Sequence, residues 1–198
     1  RVICIDPRHT GSAASLADEW IPIRPGTDAA LMTAMAYVIL TENLHDADFV
    51  ERCCSGFDAA QMPAEAASAE SYREYVLGDR DGTPKTPAWA EAITSVPRET
   101  IVRLAREYAG AQPAVLYQGY AMQRRAYGEQ VVRAGCVLAA ITGNVGVSGG
   151  GASGLGLPPP EGGARWIAMP LGENPHGVAI PVAAWSEAVT RGTEMGPA

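Results

Sequence analysis

Apolar residues along this chain fall into short β-branched runs that alternate with longer apolar stretches rich in alanine and leucine. The run from Val2 to Ile5 predicts a buried strand that stops near Asp6, because Pro7 cannot donate a hydrogen bond to a sheet ladder. Two further runs predict strands at residues 20–23 and 114–119. Strands that alternate with helices predict an α/β fold, layered, with a mostly parallel sheet flanked by helices.

The longer apolar stretches predict the helices. Residues 29–43 are apolar on nearly all sides, so this helix should be buried, with Thr27 as its N-cap and Asp28 in its first turn. Pro97 is a good start for the helix that Gly110 ends. The same reasoning predicts further helices at residues 46–54, 71–78, 86–94, 126–143 and 180–192, and a helix or loop at 10–17.

From residue 144 the chain becomes rich in glycine and proline, and we expect a long loop there with no rigid packed element. Gly149, Gly151 and Gly154 match the pattern G-x-G-x-x-G. That dinucleotide fingerprint needs a strand before the glycines and a helix after them. Here the glycines follow a predicted helix and run into three prolines, so the pattern does not indicate a nicotinamide site.

Composition sets broad limits. The 198 residues are 47% hydrophobic and 19% charged, which is enough to bury a core. We expect residues 1–145 to form one α/β portion, and 146–198 to be a loop and terminal helix of the same domain, incomplete at both ends. The net charge of −7 argues against binding nucleic acid by phosphate neutralisation. No apolar run reaches the ~18–20 residues of a membrane helix, and no export signal is visible.

The cysteines do not indicate a metal site. They form no C-x-x-C pair, and the histidines lie far from them in sequence. Cys53 and Cys54 lie in a helical pattern, where buried thiols are expected. The four cysteines are Cys4, Cys53, Cys54 and Cys136.

Three polar, glycine-containing or proline-containing connections follow the predicted strands, and in a parallel sheet they would share one edge, where ligands bind. The first is Asp6-Pro7-Arg8. It is either a turn with a surface ion pair or a ligand contact, with the acid on a ribose or base edge and Arg8 near a phosphate.

The second connection is Pro25-Gly26-Thr27-Asp28, at the start of the buried helix. Ordinary helix capping would explain it. The same features suit a nucleotide, because free N–H groups bind an anion and Gly26 permits close approach. Asp28 could accept hydrogen bonds from N1–H and the 2-amino group of guanine, a pair of donors that adenine lacks.

The third connection, residues 118–130, is either a solvated loop or a second ligand contact. It carries many polar side chains for one connection: Gln118, Gln123, Arg124, Arg125 and Glu129.

The ordered set of segments resembles the dimethyl sulfoxide reductase family of molybdopterin oxidoreductases, and most of all the A subunits of its anaerobic members. The likeness covers essentially the whole chain. The segments are IDPRHT, DEWIPIRPGTDAAL, TENLHDADFV, KTPAWAEAITSVPRETIVRLAREYA, QGYAMQRRAYGEQ and ITGNVGVSGGG.

The resemblance implies a Rossmann-like dinucleotide-binding portion of an enzyme that reduces S-oxides or N-oxides by oxygen-atom transfer. Its cofactor would be molybdenum bis(molybdopterin guanine dinucleotide), with electrons arriving through an iron–sulfur cluster that this segment does not ligate. The nearest alternative is a related molybdopterin enzyme that acts on formate, nitrate, arsenite or polysulfide. The implied cofactor-binding residues are Asp6, Pro7, Arg8, Gly26, Thr27, Asp28, Gly119 and Gln123, with Arg124 and Gly128 as further candidates.

Family members are several times longer, with a four-cysteine motif and a molybdenum ligand that have no counterpart here. The resemblance therefore implies an internal fragment, inactive alone, from a subunit held on the periplasmic side of the cytoplasmic membrane by iron–sulfur and membrane-anchor subunits. A non-catalytic nucleotide-binding domain and a purely structural piece are the alternatives.

Overall fold

A computed structural model describes residues 1–154, 172–173, 180 and 184–192. The chain divides into two compact units, Arg1–Gly156 and Leu157–Ala198. The strands of the first unit are β1 (Ile3–Ile5), β2 (Glu19–Ile21), β3 (Val115–Gln118) and β4 (Gly151–Gly154). Its helices are α1 (Gly11–Leu16), α2 (Asp28–Thr41), α3 (Ala47–Cys53), α4 (Tyr72–Leu77), α5 (Pro87–Thr94), α6 (Arg98–Gly110), α7 (Tyr120–Gln123) and α8 (Gly128–Ile141), and short 3₁₀ turns lie at Ala59–Gln61 and Ala64–Ala66.

The strands form two separate parallel pairs. β1 pairs with β2, with Ile3 opposite Glu19, and β3 pairs with β4, with Val115 opposite Gly151. Helices combined with parallel strands confirm the α/β class. The single layered, Rossmann-like sheet is not observed among the described residues, because each pair ends after two short strands.

Strand β4 corrects the prediction of a loop without packed elements after residue 144. Glycine is needed immediately before this strand, because a Cβ on Gly150 would lie 2.6 Å from the carbonyl oxygen of Asn144. The buried Asn144 side chain accepts a hydrogen bond from the backbone N–H of Ala114 at 2.8 Å, which holds this segment beside the start of β3. The glycines therefore lead into a strand and not into a helix. The rest of the predicted loop and its prolines lie outside the described residues.

Helix α2 is the centre of the core, as its all-apolar sequence predicts. It packs against α4, α5, α6 and α8, and Ala34, Ala36 and Ile39 have no exposed surface. Full burial of a side chain such as Ile39 contributes about 1.5–3 kcal/mol. Thr27 is the N-cap residue, but its side chain makes no capping bond, because Oγ1 instead donates to the carbonyl oxygen of Arg24 at 2.7 Å.

The expectation of buried thiols at the adjacent cysteines is wrong for Cys53, which is exposed, while Cys54 is half-buried. The reason is that α3 ends at Cys53 and buries only Val50. Burial raises the pKa of the Cys54 thiol.

In the second unit, α9 (Trp185–Arg191) confirms a helix within the segment predicted at residues 180–192. Within the described ranges of both units, no helix is both long and apolar enough to cross a membrane.

Candidate functional site

The three connections predicted to share a ligand site converge around Asp28. We call residues 6–10, after β1, the first connection, residues 22–27, after β2, the second, and residues 119–127, after β3, the third. Charges of Asp6 in the first and Arg125 in the third both act on the Asp28 carboxyl. The C-terminal ends of β1, β2 and β3 therefore face one region, where open α/β folds bind ligands.

Arg125 lies directly against Gly26. A Cβ at Gly26 would overlap the guanidinium, with Nη1 of Arg125 as the nearest atom. The backbone of Gly26 has φ +82°, a left-handed conformation that favours glycine independently of the arginine. The second connection thus needs glycine for its turn and for the approach of a cation from the third connection.

Asp28 is half-buried in the first turn of α2. Burial raises the pKa of this carboxyl above its usual value, Arg125 acts in the opposite direction, and Asp6 adds to the increase. Within the described residues its side chain has no hydrogen bond or ion pair to another side chain. A carboxylate in this position is available to a ligand that offers N–H donors.

The first connection is a turn, as one of its two interpretations predicted, but without the ion pair. Oδ1 of Asp6 accepts a hydrogen bond from the backbone N–H of Arg8 at 2.8 Å. The carbonyl oxygen of Asp6 accepts a hydrogen bond from Nε1–H of Trp20 at 3.0 Å. Pro7 and Arg8 are exposed. Within the described residues the guanidinium of Arg8 makes no salt bridge, which leaves it accessible to an anion.

The third connection borders a cavity of about 650 Å³. Arg124 lies over the ring of Tyr120, 4.3 Å from its centroid, which orients the guanidinium at the cavity wall. Glu129 and Arg133 of α8 add charges of both signs. The polar and glycine residues that line the cavity are Gln118, Gly119, Gln123, Arg124, Glu129 and Arg133.

Gln118 is the buried polar group of this cavity. Only 2% of the residue is exposed, and its Nε2–H donates to the carbonyl oxygen of Val132 at 3.3 Å. Its Oε1 atom is buried without a hydrogen-bond partner. An unpaired buried oxygen costs about 1–3 kcal/mol, so a donor from a ligand would stabilise it.

The two candidate glycines on either side of this segment, Gly119 before α7 and Gly128 at the start of α8, differ in what requires them. A Cβ at Gly128 would overlap the carbonyl oxygen of Gln123, so packing of α7 against α8 explains Gly128. Gly119 has open space at the Cβ position and no left-handed φ. Neither packing nor backbone strain requires glycine there, whereas close approach of a ligand would.

Sequence reasoning placed these residues in connections but missed two contacts between them. It noted Arg125 and Gln118 only as polar loop residues, and neither the contact of Arg125 with Gly26 nor the unpaired Gln118 Oε1 has a local sequence signal. Both depend on how separate connections pack. Across the described residues, no three His, Cys, Asp or Glu side chains cluster closely enough to hold a metal ion.

Comparison with known proteins gives consistent matches. Residues 1–195 match the family model described as molybdopterin oxidoreductase. Dimethyl sulfoxide reductase DmsA of Escherichia coli (strain K12) is 46% identical over 200 residues, which cover 98% of this chain and 24% of that protein. The dimethyl sulfoxide/trimethylamine N-oxide reductase of Cereibacter sphaeroides is 37% identical over 187 residues, which cover 93% of this chain and 21% of that protein.

Among solved structures, acetylene hydratase from Pelobacter acetylenicus is similar, with a TM-score of 0.56 and 32% identity. The match covers 72% of this chain and 17% of the hydratase. The chain spans about a quarter of the length of the curated reductases that it matches.

Proposed function

Because this chain belongs to the molybdopterin oxidoreductase family, we propose that it is part of the catalytic subunit of an enzyme that reduces S-oxides or N-oxides. Residues 1–145 would contribute part of the site for a guanine dinucleotide form of the molybdopterin cofactor. The observation that carries the substrate class is the 46% identity to dimethyl sulfoxide reductase DmsA over nearly the whole chain. The observation that supports the nucleotide is the convergence of the three connections on Asp28.

Asp28 fits a guanine. Its half-buried carboxylate would accept hydrogen bonds from N1–H and the 2-amino group, and these bonds favour the ionised form that burial disfavours. Adenine has no donor at N1 and no 2-amino group, so the same carboxylate would discriminate against it. Asp6 lies close enough to act on this carboxyl and would contact the ribose.

Arg125 fits the diphosphate that joins guanosine to the pterin. Its guanidinium lies against Gly26, just before the N-terminus of α2, where free N–H groups also attract anions. The exposed Arg8, after Pro7, would supply a second cation from the first connection. Two guanidinium groups and a helix N-terminus suit a diphosphate, which carries a charge of about −2.

The cavity of the third connection fits the pterin side of the cofactor. Gly119 would let the ligand approach the backbone, and Gln123 and Arg124 would donate hydrogen bonds from the cavity wall. The unpaired Oε1 of Gln118 would accept one from a ring N–H or amino group. These roles are binding and positioning, and the molybdenum centre supplies the oxygen-atom transfer when bound.

The remaining parts of the proposal come from the relatives. We propose two guanine dinucleotide groups on one molybdenum, an iron–sulfur cluster ligated elsewhere in the polypeptide, and iron–sulfur and membrane-anchor partner subunits. We also propose a location on the periplasmic side of the cytoplasmic membrane.

The test uses the full-length catalytic subunit. Reduction of dimethyl sulfoxide and trimethylamine N-oxide by a reduced viologen dye is measured beside reduction of nitrate, and the nucleotide released by acid hydrolysis of the denatured protein is identified. Activity on the two oxides together with released GMP is the expected result. Activity on nitrate alone, or no released guanine nucleotide, would contradict the proposal.

Asp28→Asn in the same subunit tests the role of the residue. It should lower the retained guanine nucleotide by about tenfold, because a hydrogen bond to a charged group contributes about 1.5–3 kcal/mol. Asp48→Asn is the matched control, since Asp48 also lies in the first turn of a helix but is exposed and away from the site. Equal retention in both variants would remove Asp28 from the guanine site.

A further inference from the structure

Cys53 and Cys54 are adjacent thiols at the end of α3, in two different environments. Cys53 is the last residue of the helix and is exposed, whereas Cys54 is half-buried and packs against the core. Burial raises the pKa of the Cys54 thiol, and the charge of Cys53 raises it further, so the two side chains are close enough to interact. An accessible thiol therefore lies next to a sheltered one.

The helix ends between the two cysteines. Cys54 has φ −110° and ψ 142°, an extended conformation outside α3. Its N–H donates to the carbonyl oxygen of Val50 at 3.1 Å, and Nε2–H of Gln61 donates to the same oxygen at 3.2 Å. The bond from Gln61 ties the loop at residues 55–61 to the end of α3. A change in the backbone at Cys53 therefore acts on the helix end and on this loop.

We propose that Cys53 and Cys54 are a reversible redox site, at which a low-molecular-mass disulfide such as glutathione disulfide converts the two thiols into a disulfide bond between neighbouring residues. The Cys53 thiolate attacks one sulfur of the small disulfide, forms a mixed disulfide and releases one small thiolate. The Cys54 thiolate then attacks the Cys53 sulfur and releases the second. The pair loses two electrons and two protons, and the small disulfide gains them as two thiols.

Strain makes this bond reversible. Neighbouring Cα atoms are about 3.8 Å apart, whereas the Cα atoms of ordinary disulfides are about 4.4–6.8 Å apart. A disulfide that departs from ordinary geometry is more easily reduced, which is typical of regulatory disulfides rather than structural ones. Consecutive side chains of a helix also point about 100° apart. Closure of the ring must therefore unwind α3 at Cys53 and weaken the hydrogen bond from Cys54 to Val50.

The experiment treats the full-length catalytic subunit with glutathione disulfide and then blocks the remaining free thiols with iodoacetamide. Trypsin cleaves after Arg52 and Arg73, so one peptide of residues 53–73 contains both cysteines and no others. The mass of this peptide distinguishes two alkylated thiols, a bound glutathione and an internal disulfide. Cys54→Ser is the matched variant, because it keeps the exposed thiol and removes the thiol that would displace glutathione.

The proposal predicts an internal disulfide in this peptide of the parent, with at least ~10-fold less bound glutathione than in Cys54→Ser. Excess reduced glutathione should restore both thiols. Amide hydrogen exchange of residues 54–61 should be faster in the oxidised parent than in the reduced parent, because the bonds to the Val50 carbonyl weaken.

Equal amounts of bound glutathione in the parent and in Cys54→Ser would overturn the proposal. Two unmodified thiols in the peptide after treatment of the parent would also overturn it. None of the residues proposed for the nucleotide lies in this segment, so either result leaves the nucleotide proposal unchanged.

Discussion

The guanidinium of Arg125 occupies the space that a Cβ on Gly26 would need. This relationship links two connections that are about one hundred residues apart in sequence, and it brings a cation to the N-terminus of the buried helix α2. The same arginine opposes the increase that burial causes in the pKa of Asp28. One contact therefore places a cation both at this helix terminus and near a carboxylate.

Gly26→Ala should separate backbone strain from anion binding. Gly82→Ala is its matched control, because Gly82 also has a positive φ, +66° against +82°, but open space at the Cβ position. Both changes should lower the free energy of unfolding by about 1–2 kcal/mol, since alanine is strained in that conformation. Only Gly26→Ala displaces Arg125, so only this variant should weaken pyrophosphate binding, by about tenfold. Urea denaturation and calorimetry check the two effects, and an equal loss of binding in both variants would contradict this role of Arg125.

Asp28 should make the fold less stable as the pH rises. Its pKa is raised in the native state, so the native protein holds this proton more tightly than the unfolded chain does. The stability that this proton contributes is therefore lost as the pH rises from about 3.8 through the higher native pKa. Asp28→Asn should remove this dependence and make the variant more stable than the parent at pH 7. The midpoints of urea denaturation of the parent and the variant at pH 4 and pH 7 measure this dependence. An Asp28→Asn variant that is less stable than the parent at pH 7 would contradict the prediction.

The buried Lys85 should make Asp81 important for the loop before α5. Lys85 is 3% exposed, and its ammonium donates to Oδ2 of Asp81 at 2.6 Å and lies 4.7 Å from the centre of the Tyr75 ring. Asp81→Asn leaves a buried charge without its counterion and should cost about 1–3 kcal/mol. Asp79→Asn, two residues earlier and exposed, should cost less than about 0.5 kcal/mol. Equal denaturation midpoints for the two variants would contradict this assignment.

Gly135→Ala should destabilise the chain although alanine is the better helix former. In α8 a Cβ at Gly135 would overlap the side-chain amide of Gln118, so the variant must displace a buried group beside the candidate cavity. Gly110→Ala, in the last position of α6 with open space around it, should instead stabilise by up to about 1 kcal/mol. The midpoint of thermal denaturation should therefore fall for Gly135→Ala and rise for Gly110→Ala. A gain in both variants would show that Gln118 moves at no cost.

The sequence predicted those parts of the fold that depend on local pattern. Helix α2 followed from an apolar run with no polar face, and α6 followed from Pro97 at its start and Gly110 at its end. The class of fold followed from alternation. These features need no knowledge of distant residues.

Features that depend on packing between distant segments were missed. Strand β4 has the composition of a loop but pairs with β3, and the glycine before it, Gly150, packs closely against Asn144. The division of the four strands into two separate pairs could not be predicted from the short apolar runs in the sequence either. In the candidate site, the sequence suggested which residues are polar, but not that Arg125 contacts Gly26 or that Gln118 keeps an unpaired oxygen.

The measurement that tests the central claim most directly is calorimetric titration of the chain with GDP, inosine diphosphate and ADP, in parallel with Asp28→Asn. The account predicts that GDP binds most tightly, inosine diphosphate less so because it lacks the 2-amino group, and ADP at least ~10-fold more weakly than GDP, with this order lost in the variant. Equal binding of GDP and ADP, or an order that persists in Asp28→Asn, would contradict guanine recognition by Asp28.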